Sequence, residues 1–220
     1  MAELTVHAAL IPEANFPVPL LQTVTAIKHL LARGVKPSNM ILTGDSAGAN
    51  LTIQALLHAI HPLAGLPTME GLKFAGAYLM SPWLSILPRE NKCYQENAMW
   101  DIISPGKISD FGTAFLSGIK DHNHLPYIDT YFAPSDWYDD MGAVVKRVLI
   151  TAGRRECFRD DIIKFGKHLE TVDGMDVKLV VDKNGVHDDP FFDFIAGEKQ
   201  LGELTGVVVH WCRDLLCSSL

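Results

Sequence analysis

The chain has 220 residues, enough to bury a substantial core, and a single domain over residues 1–220 is the expectation. Apolar residues make up 48% and charged residues 20%, which is ordinary for a globular protein and excludes a low-complexity or disordered chain. The formal charge of −7 argues against a phosphate-binding surface, because nucleic-acid binders concentrate lysine and arginine, so no nucleic-acid partner is expected.

In chain order, the opening MAELTVHAALIPE lacks the basic start and apolar stretch of a secretion signal. Leu4–Leu10 reads as a buried strand, followed by a helix over Pro19–Ala32 with Leu20, Val24, Ile27 and Leu31 on one face and Gly34 as its stop. Met40–Thr43 reads as the next strand and Ala47–Ile60 as the next helix. A third strand is expected at Phe74–Met80. It opens the longest uncharged apolar-rich stretch, Phe74–Pro88, which contains Ser81-Pro82 and is too short to span a bilayer, so no transmembrane segment is expected.

Residues 84–140 break the rhythm. They are rich in proline, asparagine, aspartate and aromatics, and a segment this long without periodicity reads as a cap or surface excursion. Trp100, Tyr127, Tyr131, Trp137 and Tyr138 either line a pocket or form satellite core. The alternation then resumes with strand Arg147–Thr151, helix Asp160–Thr171, strand Val177–Val181 and helix Lys199–Leu216. The fold class this implies is α/β, a mostly parallel sheet with helices on both faces.

Cys93, Cys157, Cys212 and Cys217 show no CxxC spacing, so free thiols in a reduced, cytoplasmic setting are expected. Cys217-Ser218-Ser219-Leu220 occupies the place of a prenylation box without its aliphatic residues, and Ser218-Ser219-Leu220 approaches a peroxisomal ending without its basic residue. A frayed end after a helix is the plainer reading of both.

The segment carrying chemistry is Ile41-Leu42-Thr43-Gly44-Asp45-Ser46-Ala47-Gly48-Ala49-Asn50, a GxSxG sequence running from an apolar strand into a helix. A serine on such a turn projects its hydroxyl out of the sheet edge, where a carbonyl can reach it. Side chains at Gly44 and Gly48 are expected to collide with the tight backbone. The Ala47 amide, in the helix's first turn, faces a developing oxyanion.

A serine hydroxyl needs a base, and this fold type orders its residues serine, acid, histidine. His187 follows the last strand, in Asn184-Gly185-Val186-His187-Asp188-Asp189-Pro190, at the carboxyl end of a parallel strand. His29, His58, His168 and His210 fall on helices and read as packed or surface residues, while His122 and His124 resemble a metal pair but read as loop. The acid candidates after Arg147–Thr151 are Glu156, Asp160 and Asp161. The two aspartates open a helix and suit capping, so Glu156, in the loop itself, is preferred. Its role would be to hold the imidazole tautomer and stabilise the imidazolium. This chemistry requires no cofactor and no metal.

These residues together resemble the hormone-sensitive-lipase-like branch of the α/β-hydrolases, particularly its fungal members. Leu10-Ile11-Pro12-Glu13-Ala14-Asn15-Phe16-Pro17 is similar to the family's LAPE-x-x-FP stretch, and Gly44 to Asn50 to its GDSAGGN elbow. Ser81-Pro82-Trp83 matches a strand-end motif, Gly153 to Asp161 resembles the acid loop, and His187 to Phe192 the histidine loop. In that alignment Glu156 takes the acid position and Asp160 falls on a later, non-catalytic aspartate. The resemblance implies an α/β-hydrolase with Ser46, His187 and Glu156 as triad and Ala47 as oxyanion donor. It also implies a small-molecule ester substrate with a small or medium acyl group, metabolite and sterol-like acetates included. The family's HGGG box, which precedes the LAPE stretch, is absent from these residues, as are its early strands. A truncated gene product or an incomplete gene model is therefore expected, in which Leu4–Leu10 pairs directly with the elbow strand or an apolar sheet edge stays open. A non-catalytic small-molecule-binding protein of this fold, or an inactive fragment, is the alternative.

Overall fold

Four short strands make the sheet, the two inner ones buried along apolar runs and the two outer ones only partly buried. In the computed structural model, which describes residues 4–200 and 202–217, they are β1 (Ile41–Asp45), β2 (Gly76–Met80), β3 (Arg147–Gly153) and β4 (Asp176–Asp182). All neighbours are parallel, in the order β1-β2-β3-β4. The register pairs Asp45 with Met80, Met80 with Thr151 and Gly153 with Asp182, so the carboxyl ends of all four strands finish along one edge.

The helices are α1 (Val18–Ala32), α2 (Ser46–Ile60), α3 (Lys92–Glu96), α4 (Pro105–Ser117), α5 (Leu125–Ile128), α6 (Met141–Val144), α7 (Arg159–Leu169), α8 (Asp189–Ile195) and α9 (Glu203–Cys217). Side chains alternate across a strand, so each face of the sheet has its own core. On one face Ala77, Leu79, Val148 and Ile150 cluster with Leu20 and Val24 of α1, Ile53 and Leu57 of α2, and Ile162 and Phe165 of α7. On the other, Tyr78, Met80 and Leu149 pack against Trp211 and Leu215 of α9. No helix among the described residues is long and apolar enough to cross a membrane.

The aperiodic segment is tied into the first core through Leu84, Ile108 and Ile128, all fully buried. Asn50 of α2 pins it by donating from Nδ2 to the carbonyls of Trp83 and Ile128, each at 2.7 Å. Tyr127 and Tyr138 join the core and Trp137 stacks on His61 at 3.8 Å, whereas Trp100 and Tyr131 stay exposed. Cys93, Cys157 and Cys212 are free thiols, and Cys93 Sγ donates to the Cys157 carbonyl at 2.9 Å. The Ser218-Ser219-Leu220 ending lies outside the described residues.

The strand expected at Leu4–Leu10 does not form. Leu4, Val6 and Leu10 are exposed, and the segment lies against α1, where the Ala9 amide donates to Gln22 Oε1 at 2.8 Å. A strand exists only by pairing its backbone with a neighbour, and among the described residues nothing pairs with the outer edge of β1. The apolar alternation is present, but its partner is not, and the edge remains open.

The turn from β1 into α2 is close-packed at one glycine. A Cβ on Gly44 would lie 2.3 Å from the carbonyl carbon and oxygen of Gly48 and 2.6 Å from the Ala49 nitrogen. A Cβ on Gly48 would meet only Asp45 Oδ1, at 3.8 Å, so the expected collision is real at Gly44 alone. Gly44→Ala is therefore expected to destabilise the fold by at least about 1–3 kcal/mol, since backbone cannot move aside. Gly48→Ala, inside a helix, should be neutral or stabilising by about 0.5–1 kcal/mol. Denaturant unfolding of both variants checks this, and equal midpoints would refute it.

Candidate active site

Three loops at the carboxyl edge of the sheet meet around Ser46. The serine opens α2 with φ of 49°, a left-handed conformation that a non-glycine residue adopts at a cost of about 1–3 kcal/mol. Its carbonyl accepts from the Trp83 amide at 3.1 Å, which ties the elbow to the loop after β2. Ala47 follows in the first turn of α2, where the helix itself offers its amide no acceptor.

The loop after β3 and the loop after β4 are bonded to each other. Arg154 N–H donates to the Asp182 carbonyl at 2.7 Å and Arg155 N–H to the Gly185 carbonyl at 2.9 Å. Asp182 Oδ1 accepts from the amides of Asn184 and Gly185 at 2.8 and 3.0 Å, turning the chain back over Gly153. The crossing leaves no space for a side chain there, since a Cβ on Gly153 would lie 2.4 Å from the Gly185 carbonyl. This crossing aims Glu156 and His187 at one another.

His187 Nε2 lies 2.9 Å from Ser46 Oγ, and His187 Nδ1 lies 3.4 Å from Glu156 Oε2. The second contact is long for a hydrogen bond, as such contacts often are before substrate binds. The ring of Phe158 stands edge-on to the imidazole with centroids 5.0 Å apart, and Trp83 stacks on Phe158 at 6.4 Å. Glu156 is wholly buried and His187 nearly so. Ser46, Glu156 and His187, expected from sequence to act together, are thus brought into one line of contacts.

Burial pushes the Glu156 carboxyl above its ordinary range, and the His187 ring and the Ser81 hydroxyl pull it back only in part. For His187, burial acts downward, but the Glu156 hydrogen bond and the Asp188, Glu156 and Asp101 charges outweigh it and hold the imidazole above its ordinary value. Asp188 brings its Oδ2 within 3.3 Å of His187 Nε2, the nitrogen that also faces the serine. Burial raises this carboxyl, His187 opposes the rise, and nearby Asp45, Glu156 and Asp101 add to it, to about 7.

The other candidates are occupied elsewhere. Asp160 accepts from the Cys93 amide at 3.1 Å and Arg159 Nε at 2.9 Å, while Asp161 accepts from Asn91 Nδ2 at 2.6 Å and the Tyr94 hydroxyl at 3.0 Å. Both fasten α7 to the segment around α3. His58 is fully buried, taking the Leu63 amide on Nδ1 at 2.9 Å and facing the Pro67 carbonyl from Nε2 at 3.0 Å. His122 and His124 form a 3-10 turn, and His124 packs edge-on against Phe16 at 5.1 Å.

Sequence reasoning did not assign roles to Asp188, Ser81 or Asp101. Asp188 and Ser81 carried a signal, because they lie in the histidine loop and the Ser-Pro-Trp motif. Ser81 has φ of 44° and its hydroxyl accepts from the Asp188 amide at 3.1 Å, so it holds the loop behind the histidine. Asp101 carried none, since it sits within an aperiodic stretch.

The α/β-hydrolase-fold family profile matches residues 4–190. An acetyl-hydrolase of Streptomyces hygroscopicus is 38% identical over 160 residues, covering 73% of this chain and 48% of the relative. An esterase of Acinetobacter venetianus is 27% identical over 178 residues, covering 79% and 52%. A crystal structure of an esterase from the bacterial hormone-sensitive lipase family superposes with a TM-score of 0.73 at 26% identity, covering 96% of this chain and 63% of that one. The chain spans about half the length of the curated relatives it matches. Parallel sheet, serine elbow and matched family profile agree: the chain belongs to the α/β-hydrolase-fold family.

Proposed function

We propose that this chain hydrolyses carboxylic esters of a small or medium acyl group through an acyl-enzyme on Ser46. The observation that carries the proposal is the 2.9 Å approach of His187 Nε2 to a serine hydroxyl held on a strained strand-to-helix turn. The acetyl-hydrolase relative supports a short acyl group.

In the first half-reaction Ser46 Oγ attacks the ester carbonyl while His187 Nε2 takes its proton. Glu156 accepts from Nδ1–H, so the imidazole keeps the tautomer whose Nε2 lone pair faces the serine. The oxyanion that forms accepts from the Ala47 amide, with the positive end of α2 behind it. His187 then returns the proton to the departing alcohol oxygen, leaving the acyl group on Ser46. In the second half-reaction His187 deprotonates a water that attacks the acyl carbonyl, and the proton returns to Ser46 as the acid leaves. One oxyanion donor typically changes turnover by roughly 100- to 1000-fold. Covalent labelling by a fluorophosphonate therefore tests the nucleophile more directly than turnover does.

Labelling is expected at Ser46, and His187→Ala should slow it by at least about 100-fold, the size of a general-base contribution. Absent labelling would favour a binding protein or an inactive fragment, and equal labelling without the histidine would remove His187 as the base. Because the base must be neutral and its pKa is raised, the labelling rate should climb with pH through a midpoint above the 6.5 of an ordinary histidine. A midpoint at or below that value would contradict the assigned pairing with Glu156.

Asp188 links the site to stability. Its carboxyl ionises near 3.8 in an unfolded chain and at about 7 when folded, so the folded state holds the proton more tightly. Stability from this group is full below pH 3.8 and falls as pH rises towards 7. Asp188→Asn should therefore match the native chain in denaturant midpoint at pH 4 and exceed it at pH 8. An equal difference at both pH values would show that the carboxyl is not perturbed.

A further inference from the structure

The segment between β2 and β3 reaches the site through one carboxylate that the reaction described above does not use. Asp101 Oδ2 accepts from the Cys157 amide at 2.6 Å, and its Oδ1 accepts from the His187 amide at 3.0 Å and from the Ile102 amide at 2.8 Å. Cys157 directly follows Glu156, so one half-buried side chain holds the backbone beside the acid and the backbone of the base itself. Nearby, Asn97 donates from Nδ2 to the carbonyls of Glu156 at 2.8 Å and Arg154 at 3.3 Å, which grips the acid loop only. The Asp101 amide donates to the Asn97 carbonyl at 2.9 Å, so the two side chains act from one turn.

We propose that Asp101 is a positioning residue for ester hydrolysis: its carboxylate bridges the acid loop and the histidine loop and sets the distance between Glu156 and His187. This inference rests on the function proposed above. Three physical points support it. The Glu156–His187 contact, at 3.4 Å, has little reach to spare, and each partner stands on a loop rather than inside a strand. An acceptor shared between two loops fixes their separation in a way that two independent turns do not. The Asp101 charge also adds to the upward hold on His187, so the brace and the basicity of the base are coupled. Asp101 contacts only backbone amides in this set of bonds and touches no reacting atom, which is why it positions rather than catalyses.

The test compares Asp101→Asn with Asn97→Ala in the full 220-residue chain. The asparagine keeps one oxygen, loses the charge and turns an NH2 towards a backbone N–H, so at least one arm of the bridge fails. Fluorophosphonate labelling of Ser46 should slow by about 10- to 100-fold, as expected for small misplacement of a base. The NMR titration midpoint of His187, assigned by comparison with His187→Ala, should move to lower pH. Asn97→Ala should slow labelling less and leave that midpoint in place, because it removes neither the charge nor a bond to the histidine loop. Native labelling and an unmoved midpoint in Asp101→Asn overturn the proposal, as does the same midpoint shift in Asn97→Ala. Should Asp101→Asn not fold, amide exchange in the native chain decides: Cys157 and His187 should be protected together, and a freely exchanging His187 amide overturns the bridge. Titration and exchange need no turnover. Absent labelling in the native chain would thus count against the hydrolase reading alone.

Discussion

Every contact of the site depends on the parallel register of four short strands. Because Asp45 pairs with Met80, Met80 with Thr151 and Gly153 with Asp182, the loops that follow all leave from one line. Ser46 comes from the first of these loops, Ser81 from the second, Glu156 from the third and His187 from the fourth. A slip of one residue in any pairing would turn its side chains to the opposite face and exchange the two cores. The register is held by that two-sided burial, with Ala77, Leu79, Val148 and Ile150 on one face and Tyr78, Met80 and Leu149 on the other.

The cost of the site is concentrated at the same edge. Its three left-handed non-glycine residues, Ser46, Ser81 and Asp188, lie at or beside the elbow, the β2 exit and the histidine. Glu156 is a carboxylate wholly removed from water, with Oε1 unpaired among the described residues and Oε2 facing His187. An isolated buried charge is among the most expensive groups a fold can hold, and a partner of opposite sign reduces that cost. Strain and buried charge persist here because the cores on both faces of the sheet over-determine the backbone positions.

The open edge of β1 has the opposite character. Among the described residues nothing pairs with it, and the apolar alternation at Leu4–Leu10 lies against α1 instead. Exposed backbone donors and acceptors on such an edge are a template for another strand. Ser46 follows directly on β1, so the elbow stands at the open side of the sheet.

The local sequence alone determined the elements whose signals are short-range. Apolar runs placed β1 to β4, the spacing of Leu20, Val24 and Ile27 placed α1, and the Gly44–Gly48 sequence placed the elbow. Chain order and position after the last strand singled out His187, whereas Glu156 was preferred to Asp160 and Asp161 because it lies in the loop and they open a helix. What sequence could not decide were matters of pairing and approach. Leu4–Leu10 has a strand's pattern, yet strand formation depends on a neighbour that the pattern does not contain. Gly44 and Gly48 look equivalent in sequence, and only the path of the turn shows that one of them meets backbone. Asp101 has no periodic or motif signal, because its role arises from two amides 30 residues apart brought together by the crossing of their loops. Local propensity is written along the chain, whereas distances between loops exist only after the sheet has formed.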